Sequence, residues 1–484
     1  MMAYKHGLFV TESPTSLSAT INGTAGLAVF VGTAPVNMVA EGAVNKPILV
    51  TKYSDAYSNL GYSEFFDKYT LSGAMFATFN MYNVAPVIFI NVLDPNNPAH
   101  VKAVAESEKK PEAHKIVLAD EGVISKTVIV KSGESSLVNG TDFDITYDGS
   151  GKCIITIIET SAFYNSESFS VGYSILDPSG VTSRDIVGSY DDSTGKETGL
   201  HLVRRIFAMF GVIPRLLCVP KYGSDPIVAA KIQSICASMP GNFNCESVID
   251  IDTFAAKKYT DVKNEKIAAG ISSKHAIPVW PMAKVGNSKI HLSTLITASM
   301  SYHDAEAGDV PTNPSNKSIN ISALIDSEGN EIHLDIDQAN ELNAQGIMTI
   351  INFRGFRTWG NNTAAYPDTT DPKDRWIYAR RYFTWRANNF MLSYFDKVDD
   401  PTNYRLTESV VDSENIVGNS HVASGLAAKD HIEFRASDNP ITDILNGSIK
   451  FKMFLSPYPP AENLCVDLEF DPYAISNALT GGVE

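Results

Sequence analysis

Cysteine is scarce in this chain, and the cysteines that are present follow no recognisable pattern. The 484 residues contain five of them, an odd number with no C-x-x-C pair: Cys153, Cys218, Cys236, Cys245 and Cys465. A disulfide framework or a structural zinc site needs cysteines that are paired or closely spaced. The sequence therefore predicts free, buried thiols in a reducing compartment.

Long apolar runs and basic residues are also few. No run approaches the roughly 20 apolar residues of a membrane span, and the N-terminal residues lack the apolar core of a signal peptide. Lys and Arg number 39 against 55 Asp and Glu, a formal charge of −16. Because so acidic a chain is a poor general binder of nucleic acid, we expect a cytoplasmically made protein that binds no nucleic acid and does not insert directly into a membrane.

Motifs for catalysis and nucleotide binding are missing as well. A serine hydrolase needs a nucleophile beside a base, yet no G-T-S-M-A, G-x-S-x-G or H-G-T-H context occurs. His303-Asp304 falls near a predicted helix end, where a solvated cap is the favoured interpretation. The glycines between Gly418 and Gly425 lack the Lys-Ser of a phosphate loop, and Asp399-Asp400 lacks metal-loop spacing. The sequence therefore predicts no catalytic, cofactor or metal site.

The first third of the chain predicts an α/β domain that is interrupted once. Apolar runs at 26–32 and 86–93 have the character of buried strands, with an amphipathic helix at 68–82 between them. From 124 to 176 only short alternating runs occur, which predicts a small antiparallel β-domain. The charged segment 94–111 would be the linker into that domain.

Beyond Asp177 the alternation of helix and strand resumes. We expect parallel pairing with helices on both faces of the sheet, from strands at 215–219, 247–251, 276–280 and 347–353. Helices are predicted at 199–211, 226–239, 261–274, 293–307 and 338–345, the last ending at Gly346 in a left-handed cap.

The segment 345–395 has the most distinctive pattern. It predicts a strand at 347–353, a loop at 354–370 and one helix at 371–395, which Asp371 caps and Pro372 begins. Aromatic and apolar residues recur at spacings of three and four, which predicts one apolar face: Trp376, Ala379, Phe383, Ala387, Phe390 and Tyr394. This helix has the pattern of a packing and docking element.

A group of arginines lies in the same segment of this acidic chain: Arg354, Arg357, Arg375, Arg380 and Arg381. Two interpretations remain open. The arginines pair with the chain's own acidic residues, or they dock to an acidic partner, where charge complementarity sets register and orientation.

The two ends of the chain have strand-like patterns. Leu8 to Thr11 predicts an extended arm. Near the C-terminus, strands are predicted at 447–455 and 464–470 on either side of a turn at Pro457 to Pro460, and the last fourteen residues have the composition of a loose tail.

Motifs spread along the chain resemble those of contractile tail sheath proteins of phages and phage-tail-like bacteriocins. W-G-N-x-T at Trp359 to Thr363 and R-W-I-x-x-R-R-x-F at Arg375 to Phe383 resemble the C-terminal part of these proteins. His6-Gly7-Leu8 resembles their opening H-G-V. Asn362 stands where the family usually has Arg, so no role of that Arg carries over.

The resemblance implies a multidomain α/β fold. A subtilisin-like-fold α/β domain would be interrupted by an inserted antiparallel β-domain and followed by an α+β C-terminal domain with extended terminal arms. The implied boundaries are an N-terminal arm at 1–20, α/β parts at 21–95 and 181–353, an outer β-domain at 96–180, a tube-facing C-terminal domain at 354–470, and a C-terminal arm or tail at 471–484.

The resemblance also implies a function without catalysis. The chain would polymerise as stacked hexameric rings around an inner tube and contract to drive that tube through a target cell envelope. Neighbouring subunits would exchange strands formed by Leu8, Phe9, Val10, Thr11, Leu464, Val466, Leu468 and Phe470, while Arg375, Arg380 and Arg381 would dock to the tube.

The implied partners are other copies of the chain, the inner tail tube protein, and baseplate and tail terminator proteins. The implied location is a virion tail or phage-tail-like particle, assembled in the bacterial host cytoplasm and released by lysis. Two alternatives remain: an α/β hydrolase-like enzyme, and a static tail or baseplate structural protein.

Overall fold

A computed structural model describes residues 21–148, 151–401 and 403–480. The predicted N-terminal arm, with Leu8 to Thr11, lies outside these ranges. Among the helices of the described ranges, none combines the length and the apolar composition needed to cross a bilayer.

The strands, labelled in chain order, are mostly short. They are β1 Ile21–Asn22, β2 Ala28–Gly32, β3 Ile48–Val50, β4 Val84–Ala85, β5 Val87–Asn91, β6 Val101–Lys109, β7 Lys115–Glu121, β8 Ile129–Ser132, β9 Ser135–Ser136, β10 Phe143–Tyr147, β11 Lys152–Ile157, β12 Phe169–Leu176, β13 Tyr190–Asp191, β14 Lys196–Glu197, β15 Leu216–Cys218, β16 Glu246–Asp250, β17 Ala276–Val279, β18 Met282–Val285, β19 Ser288–Ile290, β20 Ala323–Ile325, β21 Glu331–Ile332, β22 Thr349–Asn352, β23 Phe356–Trp359, β24 Ala427–Phe434 and β25 Phe451–Pro457.

The helices follow the same chain order. They are α1 Tyr53–Leu60, α2 Thr70–Met75, α3 Ser183–Val187, α4 Ile206–Phe210, α5 Pro226–Ala237, α6 Val262–Ala268, α7 Leu292–Glu306, α8 Ile336–Asn343, α9 Pro372–Arg375, α10 Ile377–Tyr394, α11 Tyr404–Ala423, α12 Ile441–Leu445 and α13 Pro472–Thr480. A π-helical turn at Phe76–Met81 continues α2, and a 3-10 helix at Gly199–Arg205 precedes α4.

The largest sheet has the strand order β17-β16-β15-β2-β5-β3, and all neighbours are parallel except β3, which pairs antiparallel with β5. Every residue of β2, β5 and β16 is buried. Since successive side chains of a strand point to opposite faces, burial of all of them means that both faces are covered. This parallel sheet confirms the strands and the pairing predicted from the apolar runs at 26–32, 86–93, 215–219, 247–251 and 276–280. The predicted pairing is wrong for 347–353, because its strand β22 lies in a separate antiparallel hairpin with β23. Gly346 takes the left-handed conformation predicted for the end of α8 (φ +66°).

The β-rich part of the chain contains two antiparallel sheets, β10-β11-β7 and β6-β12-β8-β9. They enclose a small core of their own, to which Leu118, Val130, Phe143, Ile155 and Phe169 contribute. The prediction that 94–111 is a linker is wrong, because Val101–Lys109 forms strand β6. This strand lies at a sheet edge and most of its side chains are exposed, so it carries charged residues where a buried strand would carry apolar ones. The predicted boundaries of the inserted domain stay a prediction.

The segment 345–395 departs from its prediction in two places. The predicted loop 354–370 contains strand β23, which forms a hairpin with β22 through the turn at Arg354 and Gly355. The predicted helix 371–395 is broken at Trp376, whose backbone is extended (φ −82°, ψ 125°) between α9 and α10. Asp371 does cap α9, because its side chain accepts a hydrogen bond from the backbone N–H of Lys373.

The C-terminal part consists of α10, α11 and the antiparallel hairpin of β24 and β25. The sequence did not predict α11. Residues 464–470 belong to no strand in the described chain and are exposed. The prediction of a loose tail after them is wrong for Pro472–Thr480, which forms α13.

Candidate assembly surface

Helix α10 contacts the α/β domain through polar side chains. Arg381 donates two hydrogen bonds to Asp304 of α7, one of them from Nη1 to Oδ1 at 3.1 Å, and a third to the carbonyl of Thr312. Farther along α10, Thr384 Oγ1 donates to Glu246 Oε1 at 2.6 Å. These directional contacts fix both the rotation and the axial position of α10 on the domain.

The predicted apolar face of α10 is therefore wrong in part. Ala379 is buried, but Ala387 is exposed, and Phe383 and Phe390 are half-buried. The buried side carries Ile377, Arg381, Tyr382, Thr384, Trp385, Arg386 and Asn388. Its arginines and asparagine pair with groups on the α/β domain and on α11, so a spacing rule based on apolar residues finds the wrong face.

Arg381 is 2% exposed, and Asp304 is fully buried. Burial alone would lower the pKa of Arg381, but the adjacent Asp304 carboxylate and Glu246 raise it, so the guanidinium stays charged. In this conformation almost none of the surface of Arg381 is accessible to a partner such as a tube. The structure shows the ion pair of Arg381 within the chain, and docking of Arg381 to a tube stays a prediction.

A second buried polar cluster joins α10, α11 and β24. Arg386 Nη2 lies 2.7 Å from Glu414 Oε2 and 3.1 Å from Asp430 Oδ1. Tyr382 donates to Asp430 Oδ2 at 2.6 Å, and His421 Nδ1 lies 2.8 Å from the same oxygen. All five side chains are buried, so this part of the chain is held together by charge and hydrogen bonds as much as by apolar contact.

The approach of α11 to β24 requires glycine at position 418. A Cβ placed there would lie 2.1 Å from the carbonyl oxygen of Asp430, well inside van der Waals contact. Gly418 thus serves the close packing of α11 against β24.

Stability of this cluster is expected to fall in acid. Burial would raise the pKa of Asp430, but hydrogen bonds from His421 and Tyr382 and the charge of Arg386 lower it below the ordinary value of 3.8. A carboxylate with a depressed folded pKa stabilises the fold fully above its unfolded pKa, and this contribution is lost as pH falls through the folded pKa. We expect the free energy of unfolding to fall below about pH 3.8, by at most about 1.4 kcal/mol per pH unit for this one proton.

Urea titrations between pH 2 and pH 6 measure this dependence. Asp430→Asn is the comparison, because it keeps the size of the side chain and cannot titrate. It should be less stable at pH 6 and lose less stability in acid. An equal loss in both proteins would contradict the assignment to Asp430.

The hairpin of β24 and β25 has one closed edge and one open edge. The side-chain amide of Asn415 accepts from the N–H of Ile432 at 2.9 Å and donates to its carbonyl at 3.0 Å. Ile432 lies opposite Met453 in the antiparallel register. Because Ile432 turns its backbone groups away from β25, Met453 turns its own away from β24, and within the described chain β25 has no other strand beside it.

The two faces of the hairpin differ in chemistry. On the outward face, three cations lie within 4.7 to 5.4 Å of the ring centre of Phe454: Lys429, Arg435 and Lys452. The opposite face turns Ile432, Phe451 and Leu455 toward α10 and α11. Glu433 lies opposite Lys452 on the outward face and pairs with Arg435. An added strand would therefore meet an apolar side and a side with a net positive charge.

The segment that follows the hairpin has a matching pattern. Leu464, Val466, Leu468 and Phe470, the four predicted exchange residues of this segment, alternate with Cys465, Asp467 and Glu469. Their side chains are 75 to 86% exposed. From here on, the name C-terminal arm refers to this stretch, residues 464–471, which precedes helix α13. The arm thus exposes four large apolar side chains at alternate positions, without packing them in its own chain.

The remaining predicted docking residues are also paired within the chain. Arg380 Nη1 lies 2.9 Å from Asp374 Oδ1, and Arg375 Nη2 lies 3.1 Å from Glu462 Oε2. Both guanidinium groups keep some exposure, so their docking role stays a prediction.

The residues nearest to a hydrolase arrangement lie at the carboxyl end of β16. Asp250 accepts hydrogen bonds from both the N–H and the hydroxyl of Ser293, at 2.8 and 2.6 Å, and His291 Nδ1 lies 3.6 Å from its carboxylate. The serine hydroxyl thus donates to the acid, whereas an activated nucleophile donates to the base. In the described ranges, no group of three or more His, Cys, Asp or Glu residues could hold a metal ion.

The chain is similar in sequence to phage tail sheath proteins, in one case over nearly its whole length. It is 24% identical to the tail sheath protein of Burkholderia phage BcepMu, with 96% of each chain covered. It is 25% identical to the tail sheath protein of Escherichia phage P2, covering 62% of this chain and 74% of that protein. No family model matches the chain.

Solved structures of contractile injection systems share the fold. A chain of the anti-feeding prophage baseplate matches with a TM-score of 0.58 at 14% identity, covering 97% of this chain and all of that one. A chain of the contracted PVC sheath complex, an extracellular contractile injection system, matches with a TM-score of 0.55 at 14% identity, covering 98% of this chain and all of that one. The predicted resemblance to contractile tail sheath proteins is confirmed, and the mixed α/β multidomain fold is that of these chains.

Proposed function

We propose that this chain is the structural subunit of a contractile tail sheath, which polymerises as stacked hexameric rings around an inner tube and contracts to drive the tube through a target cell envelope. One observation carries the proposal: the chain has both an exposed amphipathic arm and an open hairpin edge. An arm of one copy added to the edge of the next is a head-to-tail contact, and repetition of such a contact builds a helical tube.

The arm and the open edge of β25 match on both faces. With its apolar residues toward α10, the C-terminal arm adds Leu464, Val466, Leu468 and Phe470 to the side of Phe451 and Leu455. Its acidic residues then fall on the side of the three cations around Phe454. We propose that Leu8, Phe9, Val10 and Thr11 of another copy complete the same sheet.

In the proposed assembly, the C-terminal domain 354–470 faces the inner tube, and the β-domain 96–180 lies outside. Arg375 and Arg380 lie near the tube, and Arg381 acts from within by holding α10 in place. The partners are other copies, the inner tail tube, baseplate and terminator proteins, in a particle assembled in the host cytoplasm and released by lysis. Contraction from a metastable lattice to one of lower energy needs only a few kcal/mol per subunit and no nucleotide.

Electron microscopy of purified protein tests the proposal. The full chain is expected to form hollow tubes, and a chain ending at Asn463 is expected to remain dispersed, because it lacks the exchanged strand. A chain ending at Thr480 is the matched control: it loses four residues but keeps the arm, so it should form tubes. Removal of residues 1–14 should also prevent assembly.

Other outcomes separate the alternatives. Tubes from the chain ending at Asn463 would rule out exchange of the C-terminal arm. Tubes with one diameter under all conditions would favour a static tail component. Dispersed monomers of the full chain at high concentration would favour the hydrolase-like enzyme.

A further inference from the structure

We infer that Arg375 anchors the C-terminal arm through its ion pair with Glu462, a contact that we call the clasp. The clasp fixes the direction in which the arm leaves the rest of the chain, and so orients the strand before a second copy binds it. This inference rests on the proposed exchange of the arm. It gives Arg375 a role in positioning the chain's own arm, distinct from contact with a tube.

The guanidinium group of Arg375 lies in a site, here called the seat, that is formed by Tyr366, Trp376 and Asn362. The central carbon of the guanidinium group, Cζ, lies 3.9 Å from the ring centre of Trp376 and 4.4 Å from that of Tyr366. Its Nε donates to Asn362 Oδ1 at 2.9 Å, which leaves Nη2 to contact Glu462. Two aromatic rings and an amide oxygen thus hold the planar group in one orientation.

The seat is itself rigid. Asn362 is 4% exposed and pairs with Trp376 in a short antiparallel bridge, which requires the extended backbone at Trp376 between α9 and α10. The backbone N–H of Thr363 donates to the carbonyl of Arg375 at 2.8 Å, and its hydroxyl donates to that of Asp374 at 2.7 Å. Two bonds and a bridge therefore fix the guanidinium's position relative to the domain.

The segment that joins strand β25 to Glu462 is stiff. Strand β25 ends at Pro457 and is followed by Tyr458-Pro459-Pro460, a sequence that favours an extended, semi-rigid conformation. Pro460 to Asn463 then form one wall of a cavity of about 780 Å³, and Arg375 lines the same cavity. Every described residue from Ala461 to Leu479 is exposed.

The root of the arm is therefore held at two points, the hairpin and Arg375. A segment held in its bound direction loses less conformational entropy when a partner binds it, and its effective concentration near the partner is higher. The clasp contributes in this way to assembly without contacting the neighbouring copy.

Cys465 offers a direct measurement of the clasp. It is exposed, whereas Cys153, Cys218, Cys236 and Cys245 are buried, so a nitroxide spin label attaches three residues beyond Glu462. In dilute, unassembled full-length protein, Glu462→Gln and Arg375→Gln are expected to make the label more mobile. The double variant should be no more mobile than either single variant, because both remove the same contact.

Assembly provides the second readout. The critical concentration for tube formation, measured by sedimentation, should rise about two- to fivefold in Glu462→Gln, with unchanged tube geometry, because the ion pair is partly exposed. Glu469→Gln is the matched control for label mobility, since it removes the same charge from the arm beyond the clasp and should leave mobility unchanged. Because Glu462 is exposed, its replacement keeps the fold even where replacement of Arg375 disturbs it.

Failure of the clasp and failure of arm exchange give different results. Unchanged label mobility in Glu462→Gln, or a double variant with additive effects, would overturn the clasp while arm exchange still stands. Tubes from the chain ending at Asn463 would overturn arm exchange, whatever the label reports.

Discussion

Replacing Arg381 by alanine is expected to lower the free energy of unfolding by about 3–5 kcal/mol. The reason is the carboxylate left behind. Asp304 is fully buried and receives two of its hydrogen bonds from Arg381, so the variant encloses a charge without a counter-ion. Urea denaturation of the dispersed protein at pH 7 measures the loss.

The neighbouring arginine is the matched control. Arg380 pairs with Asp374 near the surface, and Arg380→Ala should cost about 1 kcal/mol or less. Combining Arg381→Met with Asp304→Leu removes both charges and should recover most of the loss. If Arg381→Ala were fully stable but unable to assemble on tubes, the docking interpretation of Arg381 would be right and the structural one wrong.

Replacing Met453 by proline is expected to abolish tube formation and leave the monomer folded. The N–H of Met453 points away from β24, so proline removes a donor that the hairpin itself does not use. An incoming strand would lose that hydrogen bond and meet the proline ring instead. Electron microscopy reports assembly, and circular dichroism reports the fold.

Met453→Leu separates the backbone effect from the side chain. It keeps the donor and nearly the same volume, so it should form tubes as the natural sequence does. Tubes from Met453→Pro would show that strands are not added at this edge. An unfolded Met453→Pro protein would mean that the backbone of Met453 serves the hairpin after all.

The central sheet was predictable because its strands are buried on both faces. The run Ala28–Gly32 and the first four residues of Val87–Asn91 are continuously apolar, and so short an apolar run between turns favours a buried strand. Strand β6 was missed for the opposite reason: at an exposed edge, the sequence Val101–Lys109 needs little apolar surface.

The C-terminal domain was less predictable because its buried positions are polar. On α11 the buried residues are Val410, Glu414, Gly418 and His421, which have helical spacing but only one large apolar side chain. Their partners, Arg386 and Asp430, lie on other elements. The open edge at Met453 has no signature in the sequence either. It follows from the register of the hairpin, in which the opposite residue, Ile432, directs its backbone groups to Asn415.

The alternation of acidic and apolar residues along the C-terminal arm also affects the solubility of the chain before assembly. Exposed apolar strands are templates for aggregation, and this chain carries one in every free copy. Asp467, Glu469 and Asp471 lie within five residues, so two arms aligned side by side bring like charges together. The cations around Phe454 attract the same residues. The acids thus act as gatekeepers, which disfavour fibrils of arms and leave the strand free for the hairpin of another copy.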